Sequence, residues 1–241
     1  MSFDIKTISE ALQASVSAFV PELVLSILFL LLVLVDVITK GNRLLIPALA
    51  IAGMLITGFF VYQQQAFPAE QKFFGMIAID PFAIFFKYLF LGAGILAVLI
   101  SMDSEELNEP KTRSLGEYYA ILVAMVLGMF LMASATDMLM MFLSLELVSI
   151  SSYILTGYLK GQVRSSEASL KYIIYGAVSS GVMIYGISIL YGLTGHTNIF
   201  KINEFLVNNP VQRCHAAAGG AANYGGLWLQ NRCSAVPLLV T

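Results

Sequence analysis

Six stretches of this chain, at about 19–39, 43–62, 82–101, 116–133, 137–160 and 168–193, are each long and apolar enough to cross a bilayer as a helix. A hydrocarbon slab about 30 Å thick takes roughly 20 residues at about 1.5 Å each, and inside it every backbone N–H and C=O must find its partner within the segment. Helices are therefore the default over open strands. With 58 % hydrophobic and 12 % charged residues, the chain has too little polar surface to cover a water-soluble globule of 241 residues. The expected fold class is all-α, a polytopic transmembrane bundle of about six spans. Gly92, Gly94, Gly128, Gly176, Gly181 and Gly186 are the small residues that let such helices approach closely, which implies a bundle and not separate anchors.

The organisation reads as an N-terminal extramembrane segment at 1–18, a helix bundle at 19–205 and a C-terminal tail at 206–241. Six connections are expected in order: a short basic turn around Lys40–Arg43, loops at about 63–81 and from Asp103 to Ser114, a turn at Ser134–Asp137, a link from Lys160 to Glu167 and a loop from Thr194 to Pro210. Loops one, three and five carry Lys40, Arg43, Lys111, Arg113, Lys160 and Arg164, against Lys6, Lys72 and Lys201 at the N-terminus and in the even loops. The positive-inside bias then puts the first set in the cytoplasm and the N-terminus outside. The N-terminal stretch carries acids and has no small-residue cleavage site after a short apolar region, so no cleaved signal peptide is expected. A formal charge of −2 and the lack of a basic patch argue against nucleic acid as a partner. Cys214 and Cys233 form neither a metal-spaced set nor a disulfide framework.

Within MLMMFLSLELVSISSYILTGY (Met138–Tyr158) stands one carboxylate, Glu146, roughly 13–14 Å in from Asp137 and so near the middle of the slab. An ionisable group at that depth costs about 2.5 kcal/mol or more, and it usually faces a partner or a wet cavity. Ser149, Tyr153 and Thr156 follow on the same helix face. Two readings stand: a station on a charge or proton pathway, or a protonated acid that serves packing while the hydroxyls bond their own backbone. On the next helix Glu167 and Lys171 form an i, i+4 pair, continued by fours to Tyr175 and Ser179. Lys171 reads equally as an interfacial anchor or as a proton-transfer group. Lys87, two turns into the third span, is expected to snorkel toward the Asp80 end. Met138, Met140 and Met141 read as core filler, and His196 as a solvated loop residue.

EYYAILVAMVLGMFLMASATDMLMMFLSLELVSISSYILTGY (Glu117–Tyr158), followed by RSSEASLKYIIYGAVSSGVMIYGISILYGLTG (Arg164–Gly195), resembles the antiporter-like membrane subunits of proton-pumping NADH:quinone oxidoreductase, complex I. The resemblance covers roughly residues 20–205, and related cation/proton antiporter subunits share the core pattern less closely. It implies the N-terminal part of a fold of about fourteen helices with two inverted repeats, each with a broken helix. It also implies that Glu146 pairs with a buried lysine on the broken helix two further on, and that Lys171, with Glu167 beside it, takes part in proton movement. Such a subunit is a non-redox, translocase part of the enzyme. It binds no cofactor itself; NADH and quinone are substrates of the whole complex. Its partners are the other membrane subunits of complex I and the lipid bilayer, in the inner (plasma) membrane.

After about residue 210 the chain departs from that pattern. The family's seventh helix carries a motif close to GFGYKIAAVPFHFW, whereas this chain has VQRCHAAAGGAANYGGLWLQNRCSAVPLLVT. Codons can be chosen for Leu227–Cys233 that, regrouped in a displaced frame, read GFGYKIA, so a truncated, frameshifted copy is expected. Ala216–Leu229 is too polar and glycine-rich for a confident seventh span. Lacking the pairing lysine, the isolated chain is expected to pump no protons by itself. The alternatives to a complex I role are a subunit of a sodium/proton antiporter and an assembly subunit whose buried charges only specify helix packing.

Overall fold

The computed structural model describes residues 15–17, 19–39, 44–66, 70–104, 115–159 and 163–208. The chain divides into two compact units, Met1–Ala135 and Thr136–Thr241.

The first unit is built from four apolar helices, α1 (Val20–Thr39), α2 (Leu45–Gln64), α3 (Pro81–Met102) and α4 (Leu115–Ser134). Helix α1 packs on α4 and α2, and α3 packs on α4 and α2. Their shared core holds Leu25, Leu28, Leu32, Ala50, Met54, Val98, Val123, Val126 and Phe130. Their outer faces carry exposed Leu30, Leu34, Val37, Phe59, Phe85 and Leu96. Large apolar side chains pointing away from a packed core are what a helix bundle presents to lipid. Gly94 lets α3 approach α2 and α4, because a Cβ there would meet Val126 and Met54. Gly92 meets nothing within 4 Å among the described residues, so not every small residue marks a contact inside the chain.

Helix starts are fixed locally. Asp80, in an extended conformation, accepts the Ala83 N–H at 2.7 Å, and Pro81 opens α3 without an amide hydrogen left unpaired. Buried Asp36, in the last turn of α1, accepts the Gly116 N–H at 3.3 Å at the start of α4. A carboxylate there offsets the exposed amides and positive dipole end of a helix.

The link between α2 and α3, expected as a loop, contains a short hairpin. Strand β1 (Glu70–Lys72) runs antiparallel to β2 (Ile77–Ile79), with Glu70 opposite Ile79 and Lys72 opposite Ile77. A 3-10 turn, Phe73–Gly75, joins them, and Ile77 also bridges to Ala135. Phe73 and Phe74 take φ values of 51° and 57°, left-handed backbone that bulky residues seldom adopt. Phe73 is held by an edge-on ring contact with Phe19, 5.4 Å between centroids, and its N–H donates to Ser15 Oγ at 3.3 Å.

The second unit contains α5 (Met138–Thr156), α6 (Val163–Thr194) and α7 (Ile199–Asn208). Two expectations about loops are corrected here. Helix α6 begins at Val163, so most of the expected Lys160–Glu167 link is helical; Ser165 donates to the Thr156 carbonyl at 2.8 Å and anchors that first turn. The expected loop from Thr194 to Pro210 holds α7, whose buried Ile202 and half-buried Ile199 and Phe205 form one apolar face. Asn198 caps it, its Oδ1 accepting the Phe200 and Lys201 N–H groups at 3.0 and 3.3 Å.

Six helices, α1 to α6, are long and apolar enough to cross a membrane among the described residues, in agreement with the six spans expected. The chain is a multi-pass membrane protein. His196 is exposed, as expected; Met138 and Met140 are half-buried and Met141 is exposed, so that patch is a helix flank and not core filler. Residues 1–14, the basic turn at 40–43, the acidic loop at 105–114 and the whole tail from 209, with its expected displaced frame and doubtful seventh span, lie outside the described residues.

Candidate functional site

Glu146 sits in the middle of α5, eight residues after Met138, about 12 Å along the axis. It is half-buried, and its Oε1 accepts a hydrogen bond from the Ser180 hydroxyl of α6. The acid is thus partnered across a helix interface, as its depth demands. Among the described residues no ammonium or guanidinium pairs with it. The lysine that the resemblance assigns as its partner would fall after residue 210, outside the described residues.

The rest of the expected polar face behaves in a mixed way. Ser149 is buried and donates to the Leu145 carbonyl at 2.8 Å, while Thr156 donates to the Ser152 carbonyl at 2.8 Å. These hydroxyls satisfy themselves within the helix, as the packing reading has it. Tyr153 instead crosses to α6. Its ring lies edge-on to Tyr172 with 4.6 Å between centroids, and it fills the space left by Gly176, where any Cβ would overlap the phenol. The Ser169 hydroxyl donates to the Tyr153 carbonyl at 3.1 Å. Glu146 therefore faces α6 on the same side as a chain of contacts that fixes the two helices against one another.

Glu167 and Lys171 form the expected i, i+4 ion pair at 2.5 Å, but on an exposed face, with side chains 58 % and 59 % accessible. Solvent screens most of the attraction between two charges so exposed. Of the polar row that continues from Lys171, Tyr175 is exposed and Ser179 is buried. A spacing of four drifts round the helix, so the row turns from solvent or lipid into the interface. The structure does not bring Lys171 into contact with Glu146.

At the end of the second unit, Asp137 caps α5 by accepting the Leu139 N–H at 2.9 Å, and its other oxygen accepts the Thr197 hydroxyl at 2.5 Å. Backbone bonds from Met138 N–H to Thr197 O and from Ile199 N–H to Thr136 O, at 3.0 and 3.1 Å, complete this clasp.

One charged pair escaped the sequence reading. Lys87 does not snorkel: it is 1 % exposed and lies 2.5 Å from Glu22, itself 2 % exposed. It also donates to Gln64 Oε1 at 3.1 Å and lies over the Phe130 ring, 5.8 Å from the centroid. Asp80, its expected direction, is engaged in capping α3. The first turn of α1, the last of α2 and the second of α3 meet at one end of the unit, which is why Glu22, at the start of the first expected span, becomes the partner of a lysine two helices away.

Comparison with known proteins places these residues in a family context. The pattern of the NADH:quinone oxidoreductase/Mrp antiporter transmembrane family matches residues 135–228, which include Glu146, Glu167, Lys171 and Ser180. The chain is 62 % identical over 224 residues, 92 % of its length, to NADH-quinone oxidoreductase subunit N 2 of Chloroherpeton thalassium, of which it covers 44 %. It is 52 % identical over 204 residues, 84 % of its length, to NADH-quinone oxidoreductase subunit N of Chlorobium chlorochromatii, covering 40 % of that protein. The chain thus spans less than half the length of these relatives. In fold it is similar to a chain of the archaeal membrane-bound sulfane sulfur reductase, with a TM-score of 0.74 at 22 % identity, over 88 % of this chain and 44 % of that one. It is likewise similar to a chain of respiratory complex I from Thermus thermophilus, with a TM-score of 0.61 at 23 % identity, over 74 % and 38 %.

Proposed function

We propose that this chain, which belongs to the antiporter-like membrane subunits of NADH:quinone oxidoreductase and is similar along most of its length to those named subunit N, serves proton translocation driven by quinone reduction elsewhere in a complex I assembly. The observation that carries the reading is Glu146: an acid in mid-span, half-buried and held by the Ser180 hydroxyl from the neighbouring span. A carboxyl in that position changes its proton affinity whenever a charge approaches or leaves, because low-dielectric surroundings screen little. It can take up a proton in one arrangement and give it up in the other. Glu167 and Lys171, exposed and paired, are assigned to proton uptake at the cytoplasmic side or to the link with a neighbouring subunit. The other membrane subunits are its partners, and the chain itself holds no redox cofactor.

The test is Glu146→Gln in the assembled complex, read as NADH:quinone reductase activity, proton pumping and complex abundance in native membranes. A fall in pumping of ~10-fold, equivalent to about 1.4 kcal/mol on the rate-limiting step, with the complex still assembled, is the expected result. Intact pumping with impaired assembly would leave Glu146 a packing residue. Sodium flux that persists without quinone reduction would favour the antiporter alternative.

A further inference from the structure

The Glu22–Lys87 pair is the most deeply buried charge in the described residues, and nothing in the role of Glu146 uses it. Three features of its surroundings bear on what it does. Glu22 Oε1 meets Lys87, but Glu22 Oε2 has no hydrogen-bond partner among the described residues although it is fully buried. A buried carboxylate oxygen without a donor carries a penalty of about 1–3 kcal/mol or more, so such atoms normally meet a protein donor or an ordered water. Beside the pair lies a small cavity lined by Ser15, Phe19, Glu22, Lys72, Phe73 and Lys87, together with two isoleucines of β2, with about 10 Å³ for the centre of a water molecule. That is the room one water requires, and the site offers the polar partners it needs. The cavity lies between the helices and the 70–79 hairpin, capped by the Phe73–Phe19 contact and the left-handed turn. Lys72 and Ser15 stand on its hairpin side, with Lys72 paired to the half-exposed Glu70 at 2.7 Å.

We propose that Glu22, Lys87 and Gln64 form a hydrated proton-exchange site at the hairpin end of the first unit, with one water bound at Glu22 Oε2. The site alternates between a neutral ion pair and a monocation. A hydronium proton reaching the bound water passes to Glu22, turning carboxylate to carboxylic acid and hydronium to water; Lys87 keeps its charge, held by Gln64 Oε1 and the face of Phe130. The reverse step returns the proton to the aqueous phase on the hairpin side. The role in turnover rests on the proton-translocation reading above, whereas the bound water at Glu22 stands without it.

Glu22→Gln, Lys87→Met and the double variant, made in the intact complex, separate a proton site from a structural pair. Each single variant strands one buried group, but the double variant leaves two neutral ones, a replacement that buried ion pairs often tolerate. The double variant is expected to restore complex abundance while protons pumped per NADH oxidised stay at least ~2-fold below wild type. Pumping equal to wild type in the double variant overturns the proposal. Should the double variant fail to assemble, infrared difference spectra on acidification of wild type and Glu22→Asp decide. A carboxylic C=O band displaced in Glu22→Asp, with an O–H band that shifts in water labelled with heavy oxygen, supports the site; identical spectra overturn it. Glu146→Gln run in parallel keeps the two ideas apart. If it lowers pumping while the double variant is wild type, only this inference fails; if it leaves pumping intact, the turnover role falls with the earlier reading.

Discussion

The Ser180 hydroxyl of α6 donates to the Glu146 carboxylate of α5, so the mid-span acid has a partner contributed by the next span. Replacing Ser180 with Ala removes the hydrogen bond to this acid, an interaction of about 1.5–3 kcal/mol when the acceptor is a carboxylate. The expected result is a displaced infrared carboxyl band for Glu146 and reduced pumping, with Ser180→Thr retaining most of both. Pumping unchanged in Ser180→Ala would show that the hydroxyl only fills space.

Gly176 and Gly181 lie on the same helix and predict opposite outcomes. At Gly176 any side chain displaces Tyr153, while at Gly181 there is nothing within 4 Å among the described residues. Gly176→Leu should lower the thermal stability of the detergent-solubilised protein by about 1–3 kcal/mol or more, the usual range for overpacking. Gly181→Ala should leave its unfolding temperature nearly unchanged.

Asp137 serves two partners at once, the Leu139 N–H and the Thr197 hydroxyl. Asp137→Ala loses the cap, typically about 1 kcal/mol, and frees Thr197 as well. Thr197→Val loses the second contact alone. Thermal unfolding should rank the variants in that order, and an equal loss in both would show that the cap contributes nothing.

Lys171 and Glu167 are exposed, so their ion pair adds little to folding. Lys171→Ala should leave complex abundance and unfolding temperature at wild-type values yet lower proton pumping. Wild-type pumping in that variant would return Lys171 to the part of an interfacial anchor.

Single substitution of Lys87 leaves Glu22 buried without its counter-charge, which typically destabilises by about 3–5 kcal/mol. Lys87→Met should therefore unfold at a lower temperature than the Glu22→Gln/Lys87→Met double variant. The opposite order would mean that the two residues do not interact in the membrane.

The six spans were legible because hydropathy over about 20 residues is a long, additive signal, and the bilayer leaves the backbone few other options. Glu146 stood out for the same reason, as the exception in such a run. Its partner did not: Ser180 is one of several small polar residues in α6, and their contacts depend on how that helix is rotated. The Glu22–Lys87 pair was hidden because each residue, taken alone, lies close enough to a span end to reach water. Only the meeting of three helix ends removes that route. The hairpin at 70–79 has strands of three residues, too short for a period-two pattern, whereas the Ile199, Ile202 and Phe205 spacing of α7 was a readable helical signal that the polar surroundings masked.

The clasp at Asp137 and Thr197 and the hydroxyl–carbonyl bonds of Ser165 and Ser169 pin opposite ends of the α5–α6 hairpin. Axial sliding of either helix by a full turn would have to break both sets together. Under the proposed role, proton movement at Glu146 would thereby be confined to side-chain torsions and hops of hydrogen ions, a short-throw device and not a piston.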